Sequence, residues 1–184
     1  EETVTVYGKT LYRIRAVRDF GSVKTREFGG YIEKEENLSH FGNAWISGDA
    51  CVSGDARVYD DAWVFGNARV CGDAKVYGNA KVCDNAKVCD NAWVSGDACV
   101  SGNAEVFNTR HFFVQGPIGS RDGYVTFYRT KDDTVEVRCG CFSGSLQKFV
   151  DRVEETHGGS RYEKEYKLAA ELAKVCIRLE GESR

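Results

Sequence analysis

Proline occurs once in this 184-residue chain, at Pro117, and histidine three times, at 40, 111 and 157. Histidines spread so widely do not make a zinc-ligand set, so no metal site and no cofactor are expected. None of the eight cysteines falls in a Cys-x-x-Cys pair, which removes zinc-finger spacing as well. No run of about 18 apolar residues is present, so no membrane span is indicated. The net charge of −3 gives no bulk attraction to a nucleic-acid polymer or an anionic membrane. The opening Glu1-Glu2-Thr3-Val4 lacks the basic-then-apolar pattern of a signal segment. A cytoplasmic location is therefore expected, with the cysteines as small semi-buried free thiols rather than a disulfide framework.

What the chain has in abundance is a six-residue phrase, repeated eleven times without a break from Gly42 to Phe107. The phrase is Gly or Asp, then Asp or Asn, then Ala, a variable residue, Val or Ile, and a second variable residue. A short fixed period means stacked structural units. Three hexads make an 18-residue triangular coil with one hexad per side. Ala and Val, two residues apart on a strand, share the inward face. Gly and Asp or Asn supply the corners, because they tolerate unusual backbone angles and bond locally. The phase extends backwards: Leu38 falls in the Ala slot and His40 in the Val slot, and a looser hexad begins at Gly30.

The 18-residue period also predicts which outward residues stack. One face carries Trp45, Trp63, Lys81 and Cys99, flanked by Ser47, Phe65, Cys83 and Ser101. A second carries Cys51, Arg69, Lys87 and Glu105, flanked by Ser53, Cys71, Cys89 and Phe107. The third carries Arg57, Lys75 and Trp93, flanked by Tyr59, Tyr77 and Ser95. Trp45, Trp63 and Phe65 read as an exposed aromatic stripe, the kind of surface that marks a subunit interface. Arg57, Tyr59, Lys75, Tyr77 and Trp93 combine cations with rings, which suits either an interface or a nucleotide: rings stack on a base and cations meet phosphate.

Residues 1–29 read as an N-terminal β cap, since an open coil end needs covering. Residues 30–107 form the helix and 108–184 a small α+β unit. In that unit alternating strands precede a helix capped by Ser143 or Ser145, with Leu146, Phe149, Val150 and Val153 on one face. A second helix carries Tyr162, Tyr166, Ala169, Leu172, Ala173 and Cys176 along one side. The loop Gly116-Pro117-Ile118-Gly119-Ser120-Arg121 offers glycine-freed N–H groups, a hydroxyl and a guanidinium, a combination that holds phosphate or carboxylate. It lacks the lysine and spacing of a nucleotide-binding fingerprint. His157, before Gly158-Gly159, is a helix-end cation that also suits an anionic ligand.

The repeat resembles the hexapeptide repeat of left-handed parallel β-helix proteins. The resemblance implies a mainly β fold: a left-handed β-helix of about four coils between the N-terminal cap and the C-terminal unit. Many proteins of that kind are acyltransferases using acetyl-CoA, with a catalytic histidine near a loop extruded from the helix. Residues 42–107 contain neither, so no catalytic residue is assigned; His40 and His111 are the histidines such a reaction would recruit. The carbonic anhydrases that share this helix need three zinc-binding histidines, which the spacing does not supply. The layout, together with Gly-Pro-Ile-Gly-Ser at 116–120, Cys-Gly-Cys-Phe-Ser-Gly at 139–144 and Thr-His-Gly at 156–158, also resembles uncharacterised phage and bacterial proteins. That likeness implies a phage-like context and, for a phage-encoded chain, the host cytoplasm.

The reading that results is a non-enzymatic homo-oligomeric binding protein, a dimer or trimer. Its sharper form is a counter-defence protein that sequesters a small nucleotide immune signal. Its ligand contacts are expected at the third helix face and at Gly116, Gly119, Ser120, Arg121 and His157. Acyl transfer from acetyl-CoA and a structural or protein-interaction module are the alternatives.

Overall fold

The computed structural model describes residues 2–179. Strands β1 (Thr3–Val6) and β2 (Lys9–Arg15) form an antiparallel hairpin turned at Tyr7 and Gly8, both with positive φ. Strand β3 (Phe28–Ile32) pairs antiparallel with β2 and parallel with the coil beyond it, Tyr31 opposite Cys51 and Ile32 opposite Val52. The cap is thus continuous with one side of the helix. The open edge of the first coil on that side is covered by the chain's own strands.

Each hexad then contributes one two-residue strand, formed by the residue after Ala and the Val or Ile that follows. One sheet stacks β4 (Trp45–Ile46), β7 (Trp63–Val64), β10 (Lys81–Val82) and β13 (Cys99–Val100). A second stacks β6 (Arg57–Val58), β9 (Lys75–Val76) and β12 (Trp93–Val94). The third continues from β3 through β5 (Cys51–Val52), β8 (Arg69–Val70), β11 (Lys87–Val88) and β14 (Glu105–Val106). All pairs are parallel and in 18-residue register, as Trp63 opposite Lys81 and Arg57 opposite Lys75 show. The result is a parallel β-helix of about four coils, as the period predicts.

The core follows from the two-residue alternation. Every Ala of the eleven hexads, from Ala44 to Ala104, and every Val or Ile, from Ile46 to Val106, is buried in one continuous cluster. Burying each valine side chain contributes about 1.5–3 kcal/mol before conformational entropy is counted. Backbone groups pair from coil to coil, with Trp45 N donating to Ala62 O at 3.0 Å and Ser47 N to Val64 O at 2.9 Å. Corners require positive φ. Glycine supplies it at most of them, and Asp60, Asp84 and Asp90 adopt it at φ 54–60°. Asn and Asp side chains bond along the corner columns, Asn43 to Asp61 at 2.7 Å and Asn79 to Asp97 at 3.0 Å.

Before residue 42 the register departs from the expected phase. Ile32 pairs with Val52 and Leu38 with Val58, so both occupy the Val slot, two residues ahead of the assignment above. Eight positions separate Leu38 from Ile46, where six separate their partners Val58 and Val64. The two extra residues leave the coil as a bulged turn. His40 therefore points out, with its side chain 69% exposed, instead of filling an inward slot. Phe41 is also exposed.

The C-terminal unit is a four-stranded antiparallel meander, β15 (Phe112–Ile118), β16 (Gly123–Arg129), β17 (Val135–Cys139) and β18 (Phe142–Ser145), followed by α1 (Leu146–His157) and α2 (Arg161–Cys176). Strand alternation on β16 gives this sheet two jobs. Val125 and Phe127 face the helices, among Val137, Phe149, Val153, Ala169, Ala170 and Ala173. Thr126 and Tyr128 face the β-helix, where Thr126 Oγ1 accepts from Cys99 N at 2.9 Å and the Tyr128 hydroxyl meets Ser101 Oγ at 3.1 Å. The unit therefore plugs the far end of the coil stack. Ser145 caps α1 by accepting from Lys148 N, and Ser160 caps α2 by accepting from Glu163 N. Leu172 differs from expectation, being 47% exposed. The packed side of α2 is the stripe of Ala169, Ala170 and Ala173, and Leu172 lies about a third of a turn away from its centre.

The cysteines also differ from expectation. Cys71 and Cys89, one coil apart in the same outward column, form a disulfide with a Cα–Cα distance of 4.5 Å. Adjacent strands sit about 4.8 Å apart, so equivalent outward residues of neighbouring coils are already within bridging distance.

Candidate ligand-binding site

Three of the sequence motifs of the C-terminal unit converge on one pocket of about 570 Å³. The β15–β16 turn contributes Ser120 and Arg121, the end of β17 and the turn after it contribute Cys139 and Cys141, and α1 contributes Arg152 and, at its end, His157. Tyr124, Phe142 and Tyr166 supply its apolar walls. Among the described residues Arg121 has no ion-pair partner, whereas Arg152 pairs with Glu155 at 2.8 Å. His157 is half-buried and lies against two rings, 5.6 Å from Tyr166 and 6.0 Å from Tyr162 between centroids. Burial pushes the Tyr166 hydroxyl and the Cys139 thiol above their ordinary pKa values. Both are therefore neutral donors at pH 7. The pocket offers cations, neutral donors and aromatic faces to an anionic, ring-bearing ligand.

Gly119 holds this arrangement together. Its N–H donates to Glu165 Oε2 at 2.7 Å, tying the loop to α2. Its φ is +76°, and a Cβ at this position would run into the Tyr166 hydroxyl. Gly116 is used differently. It precedes Pro117 within β15, packs against Tyr124, and contributes no lining to the pocket. We expect Gly119→Val to lower the melting temperature by about 5 °C, since a β-branched residue at positive φ costs on the order of 1–3 kcal/mol. The same change is expected to abolish binding at this pocket while β-helix circular dichroism persists. Wild-type melting and binding would count against the role given to Gly119.

The third helix face forms a second, shallower concavity. Arg57, Tyr59 and Lys75 line it together with His40 and Phe41 of the bulged turn. Tyr77 stacks on Tyr59 with rings 4.9 Å apart and 2° from parallel. Lys75 Nζ sits 4.4 Å from the centre of the Trp93 ring, and Trp93 itself is 47% exposed. The five residues do lie on one face. Their rings, however, are largely committed to each other, which leaves Arg57 and the exposed face of Trp93 for outside contacts.

The aromatic stripe on the first face is not an exposed surface. Trp45 is only 4% exposed. It is covered by the segment joining β2 to β3, where Phe20 meets it edge-on at 5.4 Å and Ala16 and Val23 pack beside it. Trp63 and Phe65 are half-buried. The column geometry was legible in the repeat; the residues that cover it are not in the repeat.

The histidines lie far apart in the fold. His40 Nε2, on the bulged turn, is 3.0 Å from the carboxylate of Glu35 in the short 3-10 turn before Leu38. His111 lies past the last coil, where Phe107 N donates to its Nδ1 at 3.2 Å. A feature that the repeat columns could have revealed is the Cys83–Cys99 pair at the seam with the C-terminal unit. A hydrogen bond from Cys83, then the Arg138 and Lys81 cations, lower the Cys99 thiol below its ordinary pKa, while the Cys83 thiol is raised.

Comparison with known families supports the scaffold. The YdcK β-solenoid repeat matches residues 56–72, within the second and third coils. No curated protein matches the chain.

Proposed function

We propose that this protein is a non-enzymatic binding protein whose C-terminal pocket holds a small phosphorylated, ring-bearing ligand of the nucleotide class. The observation that carries the reading is the convergence of Ser120, Arg121, Arg152 and His157 around one aromatic-walled pocket, with Arg121 unpaired among the described residues. Pocket volumes for small ligands run from about 300 to 1,000 Å³, and 570 Å³ falls inside that range. A phosphate on Arg121 and His157, with a base between Tyr124 and Phe142, uses each group for what it does best. In its biological form the proposal is sequestration of a nucleotide immune signal by a phage-encoded counter-defence protein, as the sequence resemblance suggests. The β-helix then acts as a rigid platform, and self-association through the third face, with the exposed Trp93 on its edge strand, multiplies the pockets presented.

Calorimetry of the purified protein against ATP, ADP-ribose and cyclic dinucleotides tests the reading. At least one is expected to bind with a micromolar dissociation constant and one site per chain. Arg121→Ala is expected to weaken that binding roughly 10- to 100-fold, the size of a lost charge-assisted hydrogen bond. No binding tighter than millimolar across the panel would overturn the proposal. Native mass spectrometry of the same sample reads the oligomeric state, and a monomer that Trp93→Ala leaves unchanged would remove the self-association.

A second reading, acyl transfer, is favoured by one observation. His40 is paired with Glu35 on a turn extruded from the helix, beside Arg57 and Lys75. An orienting carboxylate and an exposed imidazole are what general-base catalysis requires. Thiol release from acetyl-CoA, lost in His40→Ala, would establish it in place of pure binding.

A further inference from the structure

A separate cavity of about 330 Å³ lies at the other end of the molecule, between the β2–β3 connection and the first coil. Its walls are apolar: Ile14 from β2, Ala16, Val17 and Phe20 from the connection, Ile32, Leu38, Ala44 and Trp45 from the coil. The mouth of the cavity is charged. The lining carboxylates are occupied, Glu33 by Lys9 at 2.8 Å and Glu35 by His40 at 3.0 Å, and Lys34 is paired with Asp55. Arg15 and Arg18 also line the cavity, and neither forms an ion pair among the described residues; Arg18 donates to the Gly42 carbonyl at 3.5 Å and lies 6.0 Å from the centre of the Phe20 ring.

We infer that this cavity is a binding site for a compact apolar monocarboxylate, such as a medium-chain fatty acid or a small aromatic acid. The apolar body fills the space under the connection. The carboxylate meets the Arg15 and Arg18 guanidiniums at the mouth. At liquid density the cavity has room for about ten non-hydrogen atoms, the size of octanoate. An apolar cavity of this size gains by exchanging loosely held water for hydrocarbon, and paired guanidiniums distinguish an acid from the corresponding alcohol. The site is independent of the C-terminal pocket in position and in ligand chemistry.

Calorimetry of the full chain with octanoate and, in parallel, with 1-octanol tests the inference. Octanoate is expected to bind saturably at one site per chain, at least about 10-fold more tightly than octanol. The double variant Arg15→Ala, Arg18→Ala is expected to bring octanoate down to the octanol level and leave octanol unchanged. Val17→Trp, at an exposed residue of the lining, fills the mouth and is expected to block both. Overturning results are an absence of saturable octanoate binding up to millimolar concentration, equal affinity for acid and alcohol, or binding that survives both variants while their melting curves remain wild type. Nucleotide binding at the C-terminal pocket is expected to be unaffected in either variant, so failure of one site leaves the other readable.

Discussion

Val82→Asp is expected to destroy the fold, with a loss on the order of 4 kcal/mol or more from burying an unpaired carboxylate. Val82 is wholly buried and sits on β10, between Val64 and Val100 of the coils on either side. The buried cluster around it is Ala, Val and Ile with the plugging Tyr128, so an aspartate would enter an apolar interior. Lys81, one residue earlier, is exposed. Lys81→Gln should therefore change stability by no more than about 0.5 kcal/mol. The pair of variants measures the alternation directly by chemical denaturation. Comparable losses at 81 and 82 would mean that the strand does not present one face inward and one outward.

Removing the Cys71–Cys89 bridge is expected to have the next largest effect. The bridge closes a loop of sequence separation 18, and cross-linking a loop of that size restricts the unfolded chain by about 3 kcal/mol. Cys71→Ser should lower the melting temperature by about 5–10 °C under non-reducing conditions. Reductant should produce the same shift in the wild type and none in the variant, which separates the bridge from any packing effect of the substitution. A wild-type melt indifferent to reductant would show that the bridge contributes nothing. Its position also bears on folding order: Cys71 and Cys89 become neighbours only after two successive coils have stacked.

The candidate sites show why their parts were visible in the sequence but their assembly was not. Arg121, Ser120 and His157 stood out as residue types, yet 36 positions separate Arg121 from His157. They meet because α1 runs back along the meander and ends over the β15–β16 turn. Arg152, Tyr124 and Tyr166 were missed because nothing local distinguishes them from ordinary surface or core residues. The N-terminal cavity was missed for a related reason. It exists between two segments, and Trp45, which lines it, reads from the repeat alone as part of an exposed stripe.

What the sequence alone determined was the periodic part. A hexad with Ala and Val two residues apart has only one way to bury both, and the 18-residue coil, its three stacked columns and the disposition of Lys, Arg and Tyr on the third face follow from that. Where the period is broken, local pattern stops deciding. The two extra residues before Ile46, the covering of Trp45, the Cys71–Cys89 bond and both cavities were settled by tertiary structure. Each depends on which distant segment lies against which face, and that choice is made by the summed packing of the whole chain rather than by any hexad.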